Sequence, residues 1–274
     1  MYVRHLVINI IFSFDSFLNY NGRIGIELRG SSSQVLDKKP YGFTTLLEDD
    51  DSNNNVSLLE MPSENDWVLN SLAYDPSMIR DYLSYTLAAN MGNYAPRVKY
   101  IEVIVNDDYK GVYILTEKIK RDSDRVNLKK IDDEDTDFPE VTGGYIIKAD
   151  KTTGGDVVAW TMPNYGGWET DFLHHYPKTE DITTQQAAYI KTVFTDLAAE
   201  TNPANTSIIN GYPSIIDIPS FVDYIIVAEI ASNPDSYQFS TFFHKDRGGK
   251  LRAGPVWDYN LSYGNDLFVF GFDR

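Results

Sequence analysis

The sequence predicts an α+β fold with two lobes, in which residues 1–118 form a strand-rich N-terminal lobe and residues 119–274 a mostly helical C-terminal lobe. Two observations predict this division. Apolar and polar residues alternate in the first third of the chain and again near residue 100, with the period of a β-strand. After residue 183, two long segments carry apolar residues at helical spacing. A chain of 274 residues with 42% hydrophobic content is long enough to bury the core of such a fold.

The first strands are predicted from alternation and turn residues. The segment GRIGIELRG places Ile24, Ile26 and Leu28 on one face and ends at Gly30. The opening segment MYVRHLVINIIFSF lacks a small-residue cleavage site, so we interpret it as a strand and not as a signal peptide. No run of ~18 apolar residues occurs, and a membrane-spanning helix is therefore not expected.

A helix is predicted over Pro76–Met91. Ile79, Leu83 and Leu87 recur at intervals of four residues and would form its buried face. Gly92 follows at the position where glycine commonly ends a helix.

The clearest hairpin joins Val98–Val105 to Gly111–Thr116 through the turn NDDYKG. Further along, GGYIIKAD predicts another strand, and TTQQAAYIKTVFTDLAAE predicts an amphipathic helix. The segment IPSFVDYIIVAEIA is apolar on nearly every side, so it predicts a helix buried all round.

Charge and composition exclude several classes of function. The net charge of −16 argues against nonspecific binding to nucleic acid and against a polybasic membrane patch. The absence of cysteine excludes disulfides and thiolate-held metal, but it does not choose between cellular compartments. His174 and His175 have no carboxylate at metal-ligand spacing, so we interpret them as structural.

Two aspartates flank a second predicted hairpin in NPDSYQFSTFFHKDRGGKLRAGPVWDYN. Asp235 precedes the hairpin and Asp258 follows it, and the turn is KDRGG. Because a hairpin returns the chain to its starting edge, the two carboxylates are expected to lie close together. Such a pair suits phosphoryl transfer, in which one carboxylate orients the attacking hydroxyl and the other holds Mg²⁺ against the phosphates of ATP. The alternative is that each aspartate only serves a turn or caps a helix.

Three motifs, in order, resemble the CotH (spore coat protein H) kinase-like family. They are GIELRGSSSQ…KKPYGF, NDDYKGVYILTEKI and NPDSYQFSTFFHKD…GGKLRAGPVWDYN, and they span Arg23 to about Gly264. The resemblance implies a single domain over residues 1–274 with an atypical protein-kinase-like fold. It also implies ATP, with Mg²⁺ or Mn²⁺, as cofactor, and a protein substrate with serine or threonine acceptors. Because NDLFVFGFDR ends in an apolar run, we expect the domain to be truncated at its C-terminus.

The resemblance assigns roles to the residues of the second hairpin. Asp235 matches the catalytic aspartate and Asp258 the metal-binding aspartate. Asn260 is also assigned to the metal, although many relatives have aspartate there and asparagine contributes no charge. Ser240 stands where protein kinases have a metal-binding asparagine. These two departures put catalysis in doubt.

The resemblance also implies nucleotide-binding residues in the N-terminal lobe. Lys39 is the expected phosphate-binding lysine, Lys38 is its close alternative, and Arg29 is a further phosphate contact. Both lysines are also compatible with an ordinary solvated surface. Glu117 is expected either to orient the lysine or contact the nucleotide, or to form an ion pair between the lobes.

The expected function is therefore an atypical protein kinase that transfers the γ-phosphate of ATP to a protein hydroxyl. Two alternatives remain: a nucleotide-binding pseudokinase, and a surface or envelope interaction module without ATP. We expect no nucleic-acid partner and no membrane span. The resemblance implies a bacterial protein of the cell envelope or the extracellular space, with the spore coat and the cytoplasm as alternatives.

Overall fold

The computed structural model divides the chain into two compact units. The first comprises Met1–Met78 and Pro96–Lys118, and the second comprises Ile79–Ala95 and Ile119–Arg274. The described residues are 2–12, 17–30, 32–49, 51–152, 156–164, 166–201 and 204–266. The C-terminal segment on which the expected truncation rests lies mostly outside them.

The first unit is built on a six-stranded antiparallel sheet with the order β1-β2-β3-β4-β6-β5. Its strands are β1 (Tyr2–Phe12), β2 (Phe17–Leu28), β3 (Tyr41–Leu46), β4 (Asp66–Asn70), β5 (Val98–Val105) and β6 (Asp108–Glu117). The predicted opening strand is confirmed over β1, while Met1 and residues 13–14 of that prediction lie outside the described residues. Phe43, Trp67 and Leu115 lie in the core of this unit.

The predicted hairpin is confirmed by β5 and β6, with a tighter turn than expected. Val105 pairs with Asp108, so only Asn106 and Asp107 connect the strands. Both have positive φ, at 51° and 63°. Two-residue hairpin turns favour this conformation because its twist matches that of the strands, and asparagine and aspartate tolerate it.

The second unit contains a five-stranded antiparallel sheet with the order β11-β10-β7-β9-β8. Its strands are β7 (Tyr145–Ala149), β8 (Trp160–Pro163), β9 (Glu169–Tyr176), β10 (Thr241–Lys245) and β11 (Leu251–Ala253). The prediction of a mostly helical C-terminal lobe, and with it the predicted fold class, was therefore wrong. The strands of this sheet are short, and β7 pairs with β10, which lies far from it in sequence. Local periodicity does not reveal such a pairing.

The second unit also contains four helices within the described residues: α1 (Arg80–Asn90), α2 (Thr184–Glu200), α3 (Tyr212–Ile215) and α4 (Ile218–Ala231). Helix α2 begins at a capping box, in which the Thr183 hydroxyl accepts from the Gln186 backbone N–H and the Gln186 side chain accepts from that of Thr183. Ile190 and Phe194 carry its buried face into the core. No helix among the described residues is both long and apolar enough to cross a bilayer.

Helix α1 begins later than predicted and buries a different face. The predicted apolar residues Ile79 and Leu83 are exposed. The buried face instead carries Asp81, Tyr85 and Ala88. The predicted buried face was wrong because it was chosen by hydrophobicity, whereas this helix buries polar side chains.

Helix α4 is not buried on all sides, contrary to prediction. Tyr224, Val227 and Ala228 pack inward, while Val222 and Ile230 are exposed together with other aliphatic residues. The N-terminus of the helix is capped, because the Asp217 carboxylate accepts a hydrogen bond of 3.1 Å from the backbone N–H of Ser220.

Candidate functional site

The hairpin predicted between the two aspartates is confirmed by β10 and β11. Phe243 pairs with Ala253 and Lys245 with Leu251, so the chain reverses within a few residues. Strand β10 also pairs with β7, which fixes the hairpin inside the sheet of the second unit. Asp235 lies before β10 and Asp258 after β11, and both loops therefore leave the same end of the hairpin.

Tyr259 connects the two aspartate loops. It follows directly after the second aspartate, and its side chain is almost fully buried. Burial and the neighbouring Tyr224 raise the pKa of Tyr259, while the nearby polar side chains of Ser236 and Asn233 oppose this rise. Because Ser236 and Asn233 belong to the first loop, the buried side chain of Tyr259 lies close to that loop.

Asp235 is half-buried on a loop that begins at the C-terminus of α4. Its backbone N–H donates to the Asn233 side chain at 3.2 Å, and its carbonyl accepts from the N–H of Phe239 at 2.8 Å. Within the described part of the chain, no group donates a hydrogen bond to the Asp235 carboxylate or forms an ion pair with it. The backbone is thus fixed while the carboxylate remains available.

The environment of Asp235 raises the pKa of its carboxyl group. Burial is the largest cause, the positive charge of Lys151 opposes it, and the negative charges of Asp150 and Asp266 add to it. Desolvation and like charges both disfavour the ionised form of a carboxylate. A half-buried carboxyl group with a raised pKa is a candidate for proton transfer.

The loop of Asp258 is held by the buried face of α1. The backbone N–H of Asp258 donates to the Tyr85 hydroxyl at 3.1 Å, and that of Tyr259 donates to the Asp81 carboxylate at 2.7 Å. Trp257 stacks on Tyr85 with ring centroids 6.2 Å apart, as expected of a residue that anchors this loop. Asp258 itself has a φ of 62°, so the surrounding contacts hold it in a left-handed conformation.

Asp258 and Asn260 lie next to each other in space. The Asn260 side-chain amide donates to the Asp258 carboxylate at 2.5 Å, and the Asn260 carbonyl accepts from Asn265 at 2.8 Å. Among the described residues, no group of three or more acidic or histidine side chains could hold a metal ion. Mg²⁺, however, commonly binds through one or two protein oxygens together with substrate phosphates. The pair offers one carboxylate and one amide oxygen to a divalent cation.

The predicted nucleotide-binding lysines lie in the first unit, in different environments. Lys39 donates to the carbonyl of Gln34 at 2.7 Å. Lys38 donates to the carbonyl of Val112 at 2.5 Å and lies 4.7 Å from the centre of the Tyr113 ring. Burial lowers the pKa of Lys38, so this lysine is not an ordinary solvated surface charge.

Two further residues of the predicted site, Arg29 and Glu117, also belong to the first unit. The backbone N–H of Arg29 donates to the carbonyl of Pro40 at 3.2 Å. Glu117 is fully buried, and its two carboxylate oxygens accept from the Arg97 guanidinium at 2.8 Å and from the Arg97 backbone N–H at 3.0 Å. Glu117 therefore forms its ion pair within the first unit and not with the other lobe as expected, and its role toward a lysine or a nucleotide stays a prediction.

The sequence analysis missed Asp81, Asp150, Lys151 and Asp266, all of which surround the two aspartate loops. Asp150 ends the predicted strand GGYIIKAD and Lys151 follows it, and a charged pair at the end of an apolar strand is a signal that sequence reasoning could have used. Asp81 had no such signal, because acidic residues in the first turn of a helix are ordinary.

A cavity of about 210 Å³ lies elsewhere in the second unit. Helix α1, helix α4 and the β10–β11 hairpin contribute to its walls, which include Asn93, Asp223 and His244. Asp235 and Asp258 do not line it. Burial lowers the pKa of His244 to about 4, so this ring is neutral at physiological pH. We assign the cavity no part in the chemistry of the aspartates.

A family model described as CotH kinase protein matches residues 26–267, which is nearly the whole chain. This match agrees with the kinase-like class of protein that the two aspartates suggested. The chain belongs to the CotH kinase family, as the three sequence motifs predicted. A search of curated proteins found no match.

Proposed function

We propose that this protein is an atypical protein kinase that transfers the γ-phosphate of ATP to a serine or threonine hydroxyl of a protein substrate. Family membership supports the reaction class. The observation that carries the proposal is Asp235: its loop is fixed by hydrogen bonds, while no described group engages its carboxylate. A carboxylate in this state can accept a hydrogen bond from an acceptor hydroxyl.

In the proposed reaction, the acceptor hydroxyl donates its hydrogen bond to Asp235. The hydroxyl oxygen forms a bond to the γ-phosphorus as the bond from that phosphorus to the bridging β–γ oxygen breaks. The bond electrons leave with ADP, and the hydroxyl proton passes to the Asp235 carboxylate and then to solvent. The raised pKa of Asp235 strengthens its carboxylate as a proton acceptor.

Asp258 and Asn260 would hold the divalent cation, Mg²⁺ or Mn²⁺. When bound, such a cation neutralises charge on the phosphates of ATP. The contacts of Tyr85 and Asp81 with the backbone N–H groups of Asp258 and Tyr259 fix the backbone from which the Asp258 carboxylate projects. Asn260 orients that carboxylate through its amide but adds no charge, so we expect the cation to bind weakly.

Lys39 is proposed to contact the phosphates of ATP, with Lys38 as the alternative and Arg29 as a further contact. Each is a cation in the family's RGSSS…KKPY motif, and phosphate charge is commonly neutralised by lysine and arginine. The lowered pKa of Lys38 indicates a partly desolvated ammonium, in which a charge interaction is stronger than in water. Separate Lys38→Ala and Lys39→Ala variants will identify the lysine that lowers the affinity for ATP when removed.

The test is transfer of labelled γ-phosphate from ATP, with Mn²⁺ or Mg²⁺, to the protein itself and to a serine-rich acceptor. Wild type is compared with Asp235→Ala, Asp258→Ala and the control Asp196→Ala, which removes an exposed carboxylate from helix α2. The proposal expects incorporation by wild type and by the control, and none by the other two variants. Equal incorporation by all four would reject it.

A pseudokinase is the second candidate, and one observation favours it. The Asn260 side-chain amide donates a hydrogen bond to the Asp258 carboxylate, so one lone pair of that carboxylate is not free for a cation. Many relatives have a second carboxylate in place of Asn260. A pseudokinase would be stabilised against heat by ATP with metal but would transfer no phosphate. Absence of stabilisation as well would favour an interaction module.

A further inference from the structure

The end of strand β7 is tied to the loop that carries Asp235. The backbone N–H of Asp150 donates to the carbonyl of Asp171 at 3.1 Å, which continues the sheet one residue past β7. The Asp150 carboxylate accepts from the backbone N–H of Ser240 at 3.4 Å. The residue that follows, Lys151, therefore projects from a fixed point beside the aspartate loop.

Lys151 is exposed, and its ammonium group lies over this loop. The Lys151 Nζ is 5.5 Å from the centre of the Phe239 ring, and the backbone N–H of Phe239 donates to the carbonyl of Asp235. Burial raises the pKa of Asp235, and the positive charge of Lys151 is the largest opposing influence. Lys151 is thus within electrostatic reach of the proposed catalytic carboxylate.

A phosphate group that approaches Asp235 meets a strongly negative environment. Asp150 and Asp266 both act electrostatically on Asp235, and Lys148 pairs with Asp150 at 3.5 Å, so a transferring phosphoryl group would add negative charge where carboxylates already outnumber the cations. Like charges a few ångströms apart repel strongly in a partly desolvated site. Transfer needs a cation at this point, because catalysis of phosphoryl transfer consists largely of positioning and charge stabilisation.

We propose that Lys151 contacts the γ-phosphate of ATP and stabilises it during transfer to the hydroxyl held by Asp235. This inference rests on the proposed function and adds a residue that the family motifs did not indicate. Its long, exposed side chain can leave the Phe239 ring and reach a phosphate oxygen, because cation–π contacts at exposed sites are weak.

The experiment compares wild type with Lys151→Met, Lys151→Arg and Lys148→Met. Lys148 is the matched control, since it lies three residues before Lys151, on β7, and pairs with Asp150 at 3.5 Å and Asp156 at 2.8 Å. Calorimetry with Mn²⁺ gives the dissociation constants of ATP and ADP, and initial rates give kcat and KM. Binding to ADP serves as the reference because ADP lacks the γ-phosphate.

We expect Lys151→Met to weaken ATP binding about tenfold more than ADP binding and to lower kcat by about 10²-fold or more. Lys151→Arg should recover part of both losses, and Lys148→Met should leave the ratio of the two affinities unchanged. A purely structural lysine would weaken both nucleotides equally, and that result would overturn the inference.

The failure of this inference differs from that of the proposed function. If wild type transfers phosphate and Lys151→Met keeps its kcat and its preference for ATP, only the inference on Lys151 is wrong. If wild type binds ATP but transfers nothing, the proposed catalysis is wrong, and a lost preference for ATP in Lys151→Met would still support the γ-phosphate contact. If wild type binds neither nucleotide, both proposals are overturned.

Discussion

Glu117 in the first unit and Asp235 in the second are both carboxylates that are partly or fully withdrawn from water, but their surroundings differ. Glu117 is fully buried, and Arg97 supplies a guanidinium and a backbone N–H to its two oxygens. Asp235 is half-buried, and within the described residues its carboxylate has no such partner. Its nearest charged influences are one lysine and two further acids.

We propose that this difference separates a structural acid, Glu117, from a functional one, Asp235. A carboxylate that is neutralised by a fixed partner stabilises the fold only while that partner is present. A carboxylate that is desolvated without a partner lowers the stability of the fold, and such groups persist mainly where chemistry requires them. Asp235 follows the second pattern and Glu117 the first.

The largest effect is expected at a third carboxylate, Asp258. It accepts a hydrogen bond from the Asn260 amide, as a structural acid would, and is nevertheless proposed to hold the cation. Asp258→Asn should lower phosphate transfer by about 10³-fold or more, because the cation contributes several kcal/mol to charge stabilisation. It should also abolish the rise in melting temperature that we expect ATP with Mn²⁺ to give wild type. Thermal unfolding with ATP plus Mn²⁺, and with ATP plus a chelator, measures this. Unchanged stabilisation would mean that Asp258 holds no metal.

The next effect concerns stability in the first unit. Arg97→Ala should lower the free energy of unfolding by about 2–4 kcal/mol, because it leaves the Glu117 carboxylate buried without its ion pair. Lys99→Ala is the control, since Lys99 pairs with the exposed Glu60 at 3.7 Å and should cost less than about 1 kcal/mol. Urea unfolding measures both. Equal losses of unfolding free energy in the two variants would show that the ion pair with Arg97 does not stabilise the buried Glu117 carboxylate.

The smallest effect is the pH dependence of stability at Asp235. Its pKa is raised in the folded state, so protonation stabilises the fold, and this stability is lost as pH rises through the folded pKa. Asp235→Asn removes the desolvated charge and should melt at a higher temperature than wild type at pH 7. The difference should shrink as pH falls through the raised pKa. A variant that melts lower at pH 7 would contradict the assigned environment.

Local features of the fold were predictable from the sequence, and so was the position of the aspartates. The hairpin of β5 and β6 and the hairpin between Asp235 and Asp258 both depend on turns and alternation within one short segment. The five-stranded sheet was not predicted, because β7 and β10 must come together from distant parts of the chain. Pairing over such distances leaves no local period to detect.

The buried faces of the helices were the other feature that sequence patterns did not predict. Hydrophobicity placed Ile79 and Leu83 in the core, but α1 buries Asp81 and Tyr85 because these side chains accept hydrogen bonds from the backbone of residues 258–259. A site that must be held in a fixed shape imposes buried polar groups that local rules do not anticipate. Lys151 had only the signal of a charged pair after an apolar strand, and the folded sheet is what places it near the loop of Asp235.

The most direct test is the rate of phosphate transfer by Asp235→Asn and Glu117→Gln, each saturated with ATP and Mn²⁺ and each held well below its melting temperature. Both variants remove one negative charge with almost no change in shape. We predict that Asp235→Asn loses about 10²–10⁴-fold in rate at full nucleotide occupancy, while Glu117→Gln transfers phosphate at close to the wild-type rate. Transfer by Asp235→Asn at the wild-type rate would contradict the assignment of Asp235 as the residue that accepts the hydroxyl proton.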